Sequence, residues 1–167
     1  MSSHIIVDLA GTVTSPQGYR ATGVACGIKQ SGRPDLAILV SDYDCTAAGV
    51  VTRNQVVAAP VILDRETLAL NNTTIRGVVI NAGNANACTG EPGLANAAKI
   101  QQLTAEACDC RPDQFLVMST GVIGVQLPME NVEAGIAAAL GHLSGNGGMA
   151  ATEAIMTTDT RPKHQAM

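Results

Sequence analysis

At 167 residues and 46% hydrophobic, the chain is long enough for one domain with a sizeable core; with 2% aromatics and no Trp, Ala, Val, Ile, Leu and Met must fill it. The formal charge is −4 and the ten basic residues stand singly, which speaks against a nucleic-acid surface or an anionic-membrane partner. Five cysteines without framework spacing, and three histidines remote from Cys108 and Cys110, speak against a disulfide scaffold and leave no metal site expected.

Met1 to Asp8 has neither a basic start nor a long apolar run, so no secretory signal or membrane span is expected and the expected address is cytoplasmic. In a reducing compartment the cysteines read as small buried hydrophobes. Ile5 to Leu9 is a short strand candidate, and Gly11 to Arg20, with Thr12, Ser15, Pro16 and Gly18, is loop. Gly23 to Lys29 reads as a strand and Ser31 to Asp35 as a turn. Leu36 to Ser41 is apolar at consecutive positions, the pattern of a strand covered on both faces. Ala47 to Val51 is a further strand candidate, closing a hairpin.

Pro60 limits a helix from Val56 to about Ala58, because the residue before proline is pushed out of the α region; Arg65 to Asn71 is a short helix. Ile75 to Asn81 is the clearest β-branched strand. Glu91 to Gly93 reads as a turn. Leu94 to Cys108 is the best helix, with Leu94, Ala97, Ala98, Ile100, Leu103 and Ala107 at helical period. Phe115 to Met118 is a strand, Met129 to Leu140 a helix begun by Pro128, and His142 to Met149 a loop. Ala150 to Met156 is a short helix or strand. The alternation predicts an α/β or α+β layered sheet-and-helix fold, with residues 1–167 forming one domain.

Three polar clusters are candidates for a site. Asn81 to Gly90 follows one strand, Ser119-Thr120-Gly121 follows another, and Thr157 to Thr160 lies near the C-terminus. A strand ending in small polar residues and glycine exposes backbone N–H groups, which suits an oxyanion that needs donors at about 2.7–3.1 Å. Such tips also suit a pocket for a polar small molecule, although the asparagines fit left-handed turns equally well. None supplies a general base. Cys88 has no evident activator, so burial is its expected role, and no P-loop spacing is present.

The ordered set of segments resembles the ArgJ family, the glutamate N-acetyltransferases also called ornithine acetyltransferases. It comprises Pro16-Gln17-Gly18-Tyr19-Arg20 with Gly23 and Gly27-Ile28-Lys29; Asp35-Leu36-Ala37; Thr52-Arg53-Asn54 with Ala58-Ala59-Pro60-Val61; and Asn81 to Gly90. Ser119 to Gly124 with Leu127-Pro128-Met129, and Glu153 to Thr160 with Pro162-Lys163, complete it.

The resemblance implies a self-cleaving enzyme of the ArgJ/DmpA-like type whose cut frees an N-terminal threonine on a second, β chain. That threonine is the acetyl-accepting nucleophile, with its own α-amine as local base. The implied reaction moves acetyl from N2-acetylornithine to glutamate in arginine biosynthesis by a two-step, ping-pong route. No cofactor is implied, with acetyl-CoA as a donor substrate in some members. By resemblance Thr120 and Gly121 form the oxyanion hole. One of Thr157 and Thr158, with Thr157 preferred, contacts substrate. Two α and two β chains form a heterotetramer in the implied assembly. A Lys-Gly-x-Gly-Met stretch and the Ala-Thr cleavage junction are expected downstream of Lys163, and neither occurs between Lys163 and Met167. The chain is thus expected to be most of the N-terminal, α part, inactive alone and incomplete without its second chain. Two alternatives are a non-catalytic binding or scaffold domain and an amidohydrolase on a related fold.

Overall fold

The computed structural model describes residues 6–167. Four strands, β1 (Tyr19–Val24), β2 (Leu36–Cys45), β3 (Ile75–Asn84) and β4 (Phe115–Val122), form one sheet in the order β1-β2-β3-β4. β1–β2 and β2–β3 pair antiparallel, and β4 runs parallel to β3. A parallel neighbour requires a crossover, and it is made by α2 (Gly90–Ala107). The other helices are α1 (Ala59–Leu70), α3 (Met129–Leu140) and α4 (Gly148–Ala154). Among the described residues no helix is long and apolar enough to cross a membrane. The layered α/β expectation holds.

Strand alternation divides the apolar residues between two faces. Leu36, Ile38 and Val40 of β2, Val79 of β3 and Phe115 and Val117 of β4 join Ile100, Val132 and Ile136 in the main core, under α1, α2 and α3. Ala37 of β2 points the other way and meets Ala21, Ala151 and Ala154, where α4 lies on β1 and β2. The side chains there are small, so α4 approaches the sheet closely. Buried Gln101 ties three elements together, its Nε2 donating to Thr67 Oγ1 on α1 (2.9 Å) and to the Phe115 carbonyl of β4 (2.7 Å).

Several boundaries depart from expectation. The Ile5–Leu9 strand is absent at Ile6 to Leu9, apart from an isolated bridge between Asp8 and Ala166; Ile5 lies outside the described residues. The first sheet strand is Tyr19–Val24, not Gly23–Lys29, because the chain after Val24 turns to wrap a buried carboxylate, Asp35. Ala47 to Val51 is irregular and mostly exposed: both sides of β2 are taken by β1 and β3, so it has no edge for another strand. Pro60 opens α1 rather than stopping a helix. It sits in the first turn, where a missing N–H costs nothing. Glu91 to Gly93 is the first turn of α2, and α4 begins at Gly148 within the expected loop.

Candidate functional site

β3 and β4 end together, with Ala82 beside Thr120 and Gly83 beside Gly121. Beyond these strand ends lies an open cleft of about 450 Å³ lined by Thr120, Gly121, Val122, Gly83, Lys29, Ser31, Thr157 and Thr158. The four site residues expected from sequence therefore share one cavity. All four are exposed. The cleft lies outside the carboxyl ends of two parallel strands, where open α/β sheets commonly hold ligands. A larger cavity, about 840 Å³, lies under Arg161 to Gln165 and contains none of the expected residues.

The geometry of β4 determines what each corner residue presents. Val117 N–H donates to Asp64 Oδ1 of α1 at 2.9 Å, so it faces the open edge of the sheet. The Val122 carbonyl accepts Ala85 N–H at 2.9 Å and so faces β3. Alternation between these two anchors aims the Ser119 and Gly121 amides at the open edge and the Thr120 amide at β3. Thr120 presents its hydroxyl, on the sheet face shared with Met118 and α4. Gly121 has φ +133°, and a Cβ there would lie 2.3 Å from Gly83 C and 2.5 Å from Asn84 N. Only glycine lets the two strand ends come this close.

Ser119 is turned away from the cleft, its hydroxyl donating to Asn81 Oδ1 at 2.5 Å. Of the two readings open for Asn81–Gly90, a ligand-binding tip or left-handed turns, the side-chain bonds favour the turns. Apart from Gly83, the polar side chains of this stretch are spent internally. Asn81 Nδ2 donates to the Asn84 carbonyl (2.7 Å), and Asn84 Nδ2 to the Val125 carbonyl (3.0 Å). Asn86 Nδ2 donates to the Gly93 carbonyl (2.9 Å), while its Oδ1 accepts from Thr89 Oγ1 (2.8 Å). Asn81, Asn84, Asn86 and Thr89 are all buried. Asn86 at φ +45° and Cys88 at φ +56° take the left-handed turns that the composition allowed. Cys88 is exposed, contrary to its expected burial, because its left-handed turn sits on the surface. Together these bonds fasten the end of β3 to the segment after β4 and to the start of α2.

The cation of the cleft, Lys29, was not singled out as a site residue. Its ammonium donates to the carbonyls of Pro34 (2.5 Å) and Ala154 (3.0 Å). Desolvation lowers its pKa; the charge of Asp35 opposes that shift and Arg33 adds to it. Asp35, fully buried, accepts N–H bonds from Cys26 (2.7 Å), Ile28 (2.7 Å) and Lys29 (2.9 Å). The signal for both residues was their place in family-like segments, without a chemistry attached. At the edge of β4, burial pushes the Asp64 carboxyl up to about 6, against the pull of the Val117 N–H. Among the described residues no cluster of His, Cys, Asp or Glu is arranged to hold a metal ion.

Residues 20–167 match the model of the ArgJ family. The chain belongs to this family. Its relatives include the arginine biosynthesis bifunctional protein ArgJ of Symbiobacterium thermophilum, 52% identical over 95% of this chain and 39% of the relative. That of Thermotoga neapolitana is 51% identical over 89% of this chain and 37% of the relative. The chain thus spans about two fifths of the length of these curated relatives. Among solved structures, ornithine acetyltransferase from Mycobacterium tuberculosis, complexed with ornithine, superposes with a TM-score of 0.90 at 42% identity. The superposition covers 96% of this chain and 86% of that one. ArgJ from Bacillus halodurans gives 0.85 at 37% identity, covering 93% and 80%.

Proposed function

We propose that this chain supplies the oxyanion-stabilising wall of an acetyltransferase site that moves acetyl from N2-acetylornithine to glutamate. The observation that carries this reading is the meeting of Thr120, Gly121, Thr157 and Thr158 in one cleft at the open end of β4. The outward Gly121 N–H and the Thr120 hydroxyl are the two oxyanion donors, and one of the Thr157–Thr158 pair contacts the substrate. Among the described residues the cleft holds no carboxylate, imidazole or thiol to act as general base. Its ammonium is engaged with two carbonyls. The nucleophile therefore comes from elsewhere. On this reading it is the hydroxyl of an N-terminal threonine on a β chain from the same precursor, with its α-amine as base.

The threonine oxygen attacks the acetyl carbonyl carbon of acetylornithine, and negative charge gathers on the carbonyl oxygen between Thr120 and Gly121. The C–N bond then breaks, ornithine leaves with the proton taken from the hydroxyl, and an acetyl ester remains. The amine of glutamate attacks that ester and regenerates the hydroxyl. Acetyl-CoA is a second candidate donor. The open edge of β4 is the proposed seat of the β chain, and residues 1–167 fold as one domain of an α2β2 assembly. The coverage of 86% of the solved mycobacterial chain against 39% of a curated relative supports a mature protein made of two chains. Five free cysteines support a reducing, cytoplasmic setting.

The test is acetyl transfer by the full-length gene product, with mass analysis for a fragment beginning in threonine. Transfer from acetylornithine to glutamate and inactivity of the 167-residue chain alone are the expected results. Turnover by the isolated chain refutes the divided site.

A further inference from the structure

The two walls of the cleft come from different parts of the fold. One is the Gly83–Gly121 strand end; the other is the segment leaving α4, with Thr157 and Thr158. Lys29 touches both. Its Cγ lies 3.1 Å from where a Gly83 Cβ would be, and Gly83 in turn abuts Gly121. At its other end the ammonium donates to the Ala154 carbonyl, the last residue of α4 and three positions before Thr157. The backbone beneath it is held by the three amide bonds to buried Asp35, and the Asp35 carbonyl accepts Ala82 N–H (2.8 Å) beside Gly83. No carboxylate pairs with Lys29 among the described residues. Its charge-assisted bonds go to carbonyls, which makes it a strut rather than half of an ion pair.

We propose that Lys29 is a positioning residue that sets the Thr157–Thr158 wall at its working distance from the Thr120–Gly121 corner. The proposal rests on the acetyltransferase reading for its catalytic consequence and on the two carbonyl contacts for its mechanics. A thioether of similar length keeps the packing of the stem but forms neither bond. Arg retains donors and charge.

The experiment compares Lys29→Met and Lys29→Arg with wild type in the full-length, processed enzyme. It reads kcat, KM for acetylornithine, melting temperature and amide hydrogen exchange at residues 156–159. Expected for Lys29→Met is a fall in kcat of about 10- to 100-fold, the scale of an ångström-level misplacement. KM changes less than about threefold, exchange at 156–159 accelerates, and Lys29→Arg recovers much of the loss. A rise in KM with kcat intact overturns the proposal in favour of direct substrate binding. A lowered melting temperature with kcat intact reduces Lys29 to a structural residue and also overturns it. Exchange does not require turnover. If wild type shows no acetyl transfer while exchange accelerates in Lys29→Met, the acetyltransferase reading fails and the strut stands. If exchange is unchanged, the strut fails whatever the activity.

Discussion

Gly121→Ala isolates the proposed oxyanion corner better than any other single change. The added methyl carbon meets backbone on the β3 side, at 2.3 Å from Gly83 C, 2.5 Å from Asn84 N and 2.6 Å from Gly83 O. None of these atoms can swing aside as a flexible side chain would. The φ of +133° must also change, since an L residue there carries strain of about 1–3 kcal/mol. β4 therefore shifts at its end, and the amide leaves the position that a developing oxyanion requires. Loss of one such donor costs about 10²–10³ in kcat, or roughly 3–4 kcal/mol of transition-state stabilisation. The strain is small beside the ~5–15 kcal/mol that holds a typical domain folded, so the variant remains folded at 25 °C and the lost rate is chemical. The assay is steady-state acetyl transfer by the full-length enzyme beside a thermal melt. Gly124→Ala is the control, because Gly124 has φ +80° with nothing within 4 Å of its added carbon. It should lose a little stability and keep its rate. Retention of more than about a third of wild-type kcat by Gly121→Ala refutes the oxyanion assignment, as does an equal loss in the control.

If Thr120 acts through its hydroxyl, Thr120→Ser keeps most of kcat and Thr120→Val loses about 10²-fold; equal rates in steady-state assays return the role to the backbone. Asn86→Ala removes the donor to Gly93 and the acceptor for Thr89 in a fully buried, left-handed position, and should cost about 2–4 kcal/mol in chemical denaturation. The raised Asp64 carboxyl makes the folded state bind more protons than the unfolded state between pH 4 and about 6. Stability from this group is present in acid and is lost as pH rises through 6. Asp64→Asn, which keeps an acceptor for Val117 N–H, should flatten that slope in thermal melts taken across the window.

The parts of the fold that could be read from sequence are those fixed by local pattern. A continuous apolar run located β2, a β-branched run located β3, and the helical stripe from Leu94 located most of α2. The errors share a cause, which is that partners distant in sequence decide the outcome. Ala47 to Val51 has strand composition, but β2, against which a hairpin would place it, is already flanked by β1 and β3, and topology alone reveals that. Asp35 bends Cys26 to Lys29 out of the sheet by accepting their amides, and a single Asp after a proline carries no sign of it. Pro60 had two meanings, stop or start, and the helix C-terminal to it settled which. At the site, the four named residues reached one cleft through family-like words rather than spacing. Lys29 was missed because its partners are carbonyls, which no side-chain motif records.

The polar stretch after β3 and the proposed oxyanion corner are best understood as one device. Hydrogen-bond donors accelerate acyl transfer only if they are already in place when charge develops, so a corner at a strand end must be held from behind. A free strand terminus frays, and glycine adds freedom to it. Asn81, Asn84 and Asn86 counter that by bonding in series to Ser119, to the Val125 carbonyl after β4 and to the Gly93 carbonyl of α2. Their side chains are buried and none of them lines the cleft, so water cannot compete for these bonds. On the acetyltransferase reading this chain contributes rigid geometry and the incoming threonine contributes reactivity. Substitutions in the asparagine series should then lower kcat through displacement of Gly121 even though none of them touches substrate. A variant such as Asn84→Ala that lost stability but kept its full rate would show that the corner is held by the β3–β4 ladder alone.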